Sequence, residues 1–165
     1  MLFSPVNHRS PITFELLKLL DGTKEWFDYY NFKAIPVPKE IWEKDKLLSA
    51  LSKVRKFHAG ILKMDPNTCY NWHIDTDRHV ALNMLVCDDG NSKCIFAPDG
   101  FAVVNPIVEL KYQPYTYYVF NTKYPHTVFN FSEPRYLFSL EFLEEDRGLT
   151  YDELCADIQG LNYVD

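Results

Sequence analysis

Residues 117–142 read YYVFNTKYPHTVFNFSEPRYLFSLEF, and their punctuation decides the fold class. The β-prone runs 115–121, 126–131 and 135–142 are rich in Val, Phe, Tyr and Thr. β-Branched and aromatic residues suit a pleated, half-buried surface, and proline stops a ladder because it has no N–H to donate. Ser132-Glu133-Pro134 separates the last two runs by so little that they are expected to pair antiparallel as a hairpin.

The same rhythm extends upstream to Lys56, with runs at 57–64, 69–75, 79–87, 93–97, 101–104 and 107–110. Their breaks are Asp65-Pro66-Asn67, Asp88-Asp89-Gly90-Asn91, Pro98-Asp99-Gly100 and Asn105-Pro106. Roughly eight short strands at this spacing predict a mainly-β sandwich or jelly roll.

Helical signals flank this core. Ser10-Pro11 predicts a helix start, with Phe14, Leu16, Leu17 and Leu20 as its apolar stripe and Gly22 at its end. Residues 29–37 read as a strand closed by Pro36 and Pro38. Residues 45–54 read as a second helix with Leu47, Leu48, Leu51 and Val54 on one side. Thr150 and Glu153 form a capping box that opens a last helix toward Ile158. A single domain is expected, with a helical N-terminal part at 10–55, a β core at 56–143 and a short helix at 150–158.

The chain has 165 residues, enough for one domain with a real core. Its 12 Phe, 11 Tyr and 3 Trp supply large apolar area for that core or for a substrate cleft. The net charge of −6 comes without a basic patch, so a nucleic acid is not an expected partner. No apolar stretch is long enough to span a bilayer, and the N-terminus lacks the pattern of a secretion signal. Cys69, Cys87, Cys94 and Cys155 show no CxxC spacing, which argues against a zinc ribbon and fits a reduced, cytoplasmic protein. Cys87 and Cys94 flank a turn and could face each other across a hairpin.

The chemistry concentrates in His73-Ile74-Asp75, then His126, then Arg135. Side chains alternate along a strand, so His73 and Asp75 point to one face if 69–75 stays extended. Two imidazoles and one carboxylate on one face of a metal leave the opposite face open. That suits non-haem Fe(II), which must hold O₂ and an organic co-substrate together. Arg135 offers a planar fork that stays charged when buried and pairs bidentately with a carboxylate. A 2-oxoacid chelating the metal would extend its far carboxylate toward such a residue, and 2-oxoglutarate meets this demand.

Residues 69–85, CYNWHIDTDRHVALNML, and 117–142 resemble the iron- and 2-oxoglutarate-dependent dioxygenases. Within them the chain most resembles the aspartyl/asparaginyl β-hydroxylase-like branch, through Phe120, His126, Val128, Asn130, Ser132 and Arg135. The resemblance implies a double-stranded β-helix, cupin-like in its jelly-roll core. It also implies Fe(II), 2-oxoglutarate and O₂, with hydroxylation of a protein side chain or amino acid and release of succinate and CO₂. It makes His73, Asp75 and His126 the metal ligands, Arg135 the anchor of the distal carboxylate, and Arg78 a second arginine near the co-substrate. The chain departs from the branch at Val80, where a histidine is expected, and in the short step from His73 to Arg78. It also has a carboxylate ligand, Asp75, that some members of the branch lack.

Simpler readings stand beside these. Asp77 is a rival carboxylate, although Thr76-Asp77-Arg78 looks like a turn. Arg135 could be a surface cation pairing with Glu133 or Glu141. Asn83 lies in an apolar strand and needs a partner, either the co-substrate or the core. His58 and His79 read as structural or exposed, His8 as part of a tail, and Trp72 as packing beside the site. A cupin-like module that binds metal and senses a small ligand is the alternative to an enzyme.

Overall fold

A computed structural model describes residues 1–30, 32–87, 90–100 and 105–163. Its strands are β1 (Phe3–Arg9), β2 (Phe27–Tyr29), β3 (Phe32–Pro36), β4 (Phe57–Met64), β5 (Thr68–His73), β6 (Val80–Cys87), β7 (Ser92–Phe96), β8 (Val108–Leu110), β9 (Thr116–Asn121), β10 (His126–Asn130) and β11 (Arg135–Phe142). The α-helices are α1 (Thr13–Gly22), α2 (Lys39–Trp42), α3 (Lys46–Leu51) and α4 (Tyr151–Gly160). The expected strand at 101–104 and the Asp88-Asp89 part of the expected turn lie outside the described residues. No helix among the described residues is long and apolar enough to cross a membrane.

Two antiparallel sheets face each other. The larger has the order β1-β9-β6-β11-β4-β3-β2 and the smaller β5-β10-β7-β8. From β4 to β11 the chain changes sheet at every step except β7 to β8. This alternation winds the eight strands into a jelly roll, with β9-β6-β11-β4 opposite β5-β10-β7-β8.

Strand alternation gives the larger sheet two different faces. Val80, Leu82, Met84, Phe138 and Leu140 point to the side covered by Ile12 and Leu16 of the α1 region, Leu47, Leu48 and Leu51 of α3, and Leu154 and Ile158 of α4. The other face looks toward the smaller sheet. Ala81, Tyr118 and Phe120 pack there against Phe96, Leu110 and Val128. Asn83, Arg135, Leu137 and Glu141 share that inner side and line a cavity rather than a closed core.

Several local expectations change. The hairpin of 126–131 with 135–142 does not form. β10 lies between β5 and β7, and β11 between β4 and β6, so each already has two neighbours in its own sheet. The link between them crosses from one sheet to the other. Asn130 braces it by donating to the carbonyls of Met64 at 3.1 Å, Asp65 at 2.8 Å and Glu133 at 2.9 Å. The same crossing separates β6 from β7, so Cys87 and Cys94 do not face across a hairpin; Cys94 is buried, Cys87 is exposed, and the four cysteines form no disulfide among the described residues.

At the N-terminus, residues 3–9 form an edge strand on β9 rather than a tail. His8 Nε2 lies 2.8 Å from Asp45 Oδ1, and Asp45 is fully buried. Ser10 is not the helix cap. Its hydroxyl meets the Tyr117 hydroxyl at 2.9 Å, and α1 begins at Thr13. The buried stripe of that helix starts at Ile12 and Leu16, which leaves Phe14 and Leu17 exposed. Residues 29–37 are not one strand. The chain turns at Tyr30, which has φ 50°, between β2 and β3. Asp45 caps α3 by accepting from Leu47 N and Leu48 N, while Val54 lies beyond the helix and is exposed. The Thr150–Glu153 capping box is present.

Candidate metal centre

His73 ends β5 and His126 begins β10, and the two strands are antiparallel neighbours with these residues opposite each other. Their imidazole centroids lie 4.1 Å apart. Asp75 stands just past the end of β5, so strand alternation alone does not aim it. Its backbone N–H donates to the Thr122 carbonyl at 3.1 Å, folding the chain back toward His126. Thr122 is fully buried and also donates, through Oγ1, to the Arg78 carbonyl at 2.7 Å. Nothing in the spacing of the sequence marked Thr122 as the residue that closes this turn.

The three side chains converge. Asp75 Oδ1 is 3.5 Å from His73 Nε2 and 4.0 Å from His126 Nε2. One donor atom from each of the three lies within 4.8 Å of the others, the one such group among the described residues that could hold a metal ion. Donors about 2.1 Å from a common ion at right angles are roughly 3 Å apart, so the two distances from Asp75 to the imidazoles need to close by only about 0.5–1 Å.

The protonation pattern also fits a cation. His73 Nδ1 lies 2.7 Å from the Asn71 carbonyl and His126 Nδ1 lies 2.9 Å from the Tyr124 carbonyl. A carbonyl only accepts, so each Nδ1 carries a proton and each Nε2 faces Asp75 Oδ1. His126 is 5 % exposed. Burial, reinforced by neighbouring His73, pulls its pKa down to about 4, which keeps it an unprotonated ligand at neutral pH. Arg78 Nε donates to Asp75 Oδ2 at 2.6 Å, leaving Oδ1 toward the imidazoles. Two imidazoles and one carboxylate oxygen form a donor set suited to Fe(II).

A cavity of about 460 Å³ opens from this group and is lined by His73, Asp75, His126, Arg78, Asn83 and Arg135 together. Arg135 is 3 % exposed, so it is not a surface cation. Its Nε donates to Ser92 Oγ at 3.1 Å and its guanidinium lies 5.8 Å from the Tyr112 ring centre. Tyr112 lines the same cavity, and its buried hydroxyl makes no hydrogen bond of normal geometry. Burial holds that phenol well above its ordinary range, so it is a neutral donor. Asn83 is 3 % exposed and its Oδ1 has no partner. Tyr112 is one polar residue of this cavity that the sequence pattern did not mark; it lies in no strand and in no motif.

The remaining residues fall elsewhere. Asp77 is exposed on the cavity rim and outside the donor group. His58 is exposed, and the His79 carbonyl accepts from Thr122 N. Trp72 does not line the cavity. Tyr70 does, with its ring 3.9 Å from the His73 ring.

No protein-family model matches the chain, and no curated protein matches it. Solved structures do. A prolyl-4-hydroxylase from Pseudomonas putida superposes with a TM-score of 0.64 at 16 % identity, covering 85 % of this chain and 91 % of that one. The chain has the double-stranded β-helix fold of the 2-oxoglutarate oxygenases. A prolyl hydroxylase from Trichoplax adhaerens, in complex with a hypoxia inducible factor peptide fragment, gives 0.60 at 15 % identity over 88 % of this chain and 84 % of its own. The non-haem α-ketoglutarate-dependent epimerase SnoN of nogalamycin biosynthesis gives 0.62 at 12 % identity, over 86 % and 77 %.

Proposed function

We propose that this chain is an Fe(II)- and 2-oxoglutarate-dependent oxygenase that hydroxylates a side chain of a polypeptide or amino acid, releasing succinate and CO₂. The observation that carries the reading is the convergence of His73, Asp75, His126 and the buried cation Arg135 on one cavity. A metal with an open face beside a buried arginine suits a co-substrate that chelates at one end and carries a carboxylate at the other.

In this reading His73 Nε2, His126 Nε2 and Asp75 Oδ1 hold Fe(II), which when bound supplies the O₂ and 2-oxoacid chemistry. Arg78 fixes the Asp75 carboxylate and borders the co-substrate. Arg135 pairs with the distal carboxylate of 2-oxoglutarate, and the neutral Tyr112 hydroxyl donates to it. Asn83 Oδ1 receives a hydrogen bond from a bound molecule. Phe120 and Phe96 lie with ring centres 5.0 Å and 5.7 Å from the His126 ring and exclude water from it.

The Phe120-to-Arg135 motif supports the aspartyl/asparaginyl β-hydroxylase-like branch. The peptide held by the Trichoplax hydroxylase supports a polypeptide substrate. Four cysteines without a disulfide among the described residues, and a need for ferrous iron, support a reduced, cytoplasmic setting.

Anaerobic titration of the protein with Fe(II) and 2-oxoglutarate tests the reading. A weak visible charge-transfer band is expected, followed by succinate on admitting O₂ with substrate. Absence of the band overturns the reading. A band without succinate across peptide and amino-acid screens would turn it into the metal-containing sensor.

A further inference from the structure

The chamber around the donor group does not end there. A second cavity of about 490 Å³ abuts it, and Tyr29, Leu62, Arg78 and Glu141 line both. The walls of this groove are largely apolar, with Phe27, Pro36, Val37, Trp42 and Phe57 among them. The Trp42 and Phe57 rings lie 5.2 Å apart.

Two polar side chains enter the groove from one face of β11, because Ser139 and Glu141 are two residues apart on a strand. Ser139 is 7 % exposed and its Oγ has no hydrogen-bond partner. A buried hydroxyl left unpaired is costly unless a bound molecule completes it. Glu141 is half-buried and forms no ion pair among the described residues. The basic side chains that line the two cavities with it are Arg78, Arg135, Arg147, Lys39 and His58. Arg78 places its Nε on Asp75, and Lys39 pairs with Glu43 at 3.2 Å. His58, opposite Glu141 on β4, is exposed. Burial and then the Glu141 carboxylate push the Tyr29 phenol up to about 12, so the field of a carboxylate is present at this junction.

We propose that Glu141 and Ser139 select a polypeptide substrate through a lysyl or arginyl side chain, whose stem lies along the groove and whose cationic head sits where the groove meets the metal chamber. Lys and Arg combine an apolar stem with a charged head, which is the pattern of this groove. Their N–H groups supply the donor that Ser139 Oγ lacks and a cation for the Glu141 carboxylate, which already meets the Tyr29 hydroxyl. Trp42 and Phe57 favour both the stem and the cation. The rim favours a polypeptide over a free amino acid. Phe27, Tyr30 and Ile74 are 50 %, 73 % and 43 % exposed at the mouths of the two cavities, an apolar edge beyond the reach of one residue. A net charge of −6 also favours encounter with a basic partner. The reaction at that substrate rests on the oxygenase reading, but the charge preference does not.

Calorimetric titration of the Mn(II)-loaded protein with capped Gly-Ala-Lys-Ala-Gly, and with its Arg, Glu and norleucine counterparts, tests this. The Lys and Arg peptides should bind at least about tenfold tighter than the norleucine and Glu peptides. Glu141→Gln keeps the shape and removes the charge, so it should erase that preference while the Mn(II)-induced rise in Tm remains. Ser139→Ala should weaken the Lys peptide by a smaller factor. Equal binding of the Lys and norleucine peptides, no binding of any peptide, or a preference retained in Glu141→Gln overturns the proposal. A Lys preference without succinate formation would sink the oxygenase reading and leave this one standing; succinate formation without charge preference would do the reverse.

Discussion

Arg78 donates through Nε to Asp75 Oδ2 at 2.6 Å, while Asp75 Oδ1 stands 3.5 Å from His73 Nε2 and 4.0 Å from His126 Nε2. One oxygen of the carboxylate is tied to a cation and the other is presented to the imidazoles. An outer partner of this kind fixes the orientation and charge of a ligand before the metal arrives.

Arg78→Ala should therefore weaken Mn(II) binding by about 10- to 100-fold, with Arg78→Lys intermediate. Calorimetry on the metal alone measures this without turnover. An unchanged affinity would show that Asp75 is positioned by its backbone bond to Thr122 and that Arg78 acts elsewhere.

His126→Ala should abolish the rise in Tm that Mn(II) or Fe(II) gives the native protein. A metal that binds only the folded state at a hundred times its Kd stabilises it by about 2.7 kcal/mol, so the loss is easily seen by scanning calorimetry. A variant that kept the shift would remove His126 from the ligand set.

Arg135→Ala should weaken 2-oxoglutarate by at least about tenfold, because losing one partner of a desolvated charge pair costs roughly 2–5 kcal/mol. Pyruvate lacks the distal carboxylate and should lose little, and metal affinity in the absence of either acid should hold. Tyr112→Phe should show the same selectivity with a smaller loss. Equal losses for the two acids would turn Arg135 into a structural residue.

Acid should destabilise the metal-free protein through His126. Its pKa is about 4 when folded against 6.5 ordinarily, so the unfolded chain binds the proton more readily. The contribution is complete above 6.5 and declines as pH falls from there toward 4. Urea midpoints between pH 7 and 4 should fall along this window, and His126→Phe should flatten the slope. A slope untouched by the substitution would assign the acid sensitivity to other groups.

Asp45→Ala should cost about 3 kcal/mol or more. The carboxylate is fully buried, caps α3, accepts from the Tyr117 hydroxyl at 2.8 Å and meets His8 Nε2 at 2.8 Å. Urea denaturation measures the loss. If stability fell by no more than a helix cap is worth, the His8 and Tyr117 contacts would contribute nothing.

Local residue patterns set the bounds of most core strands, because proline, glycine and clustered Asp or Asn interrupt β-prone runs. β4 and β11 begin and end where the residue pattern places them. The sequence by itself also determined which chemistry was available, since His73, Asp75, His126 and Arg135 are unusual companions in strand-like segments. Pairing was not local. The short 131–134 link suggested a hairpin, but β10 and β11 each find both neighbours in opposite sheets, and that choice depends on β5, β7, β4 and β6. Tertiary structure alone decided that Asp75 turns back onto the imidazoles through Thr122, that Tyr112 stands beside Arg135, and that residues 3–9 join a sheet. Each of these is a contact between segments distant in sequence. Such contacts form only when sheet packing offsets the entropy of closing the intervening loops, and no window of neighbouring residues records that balance.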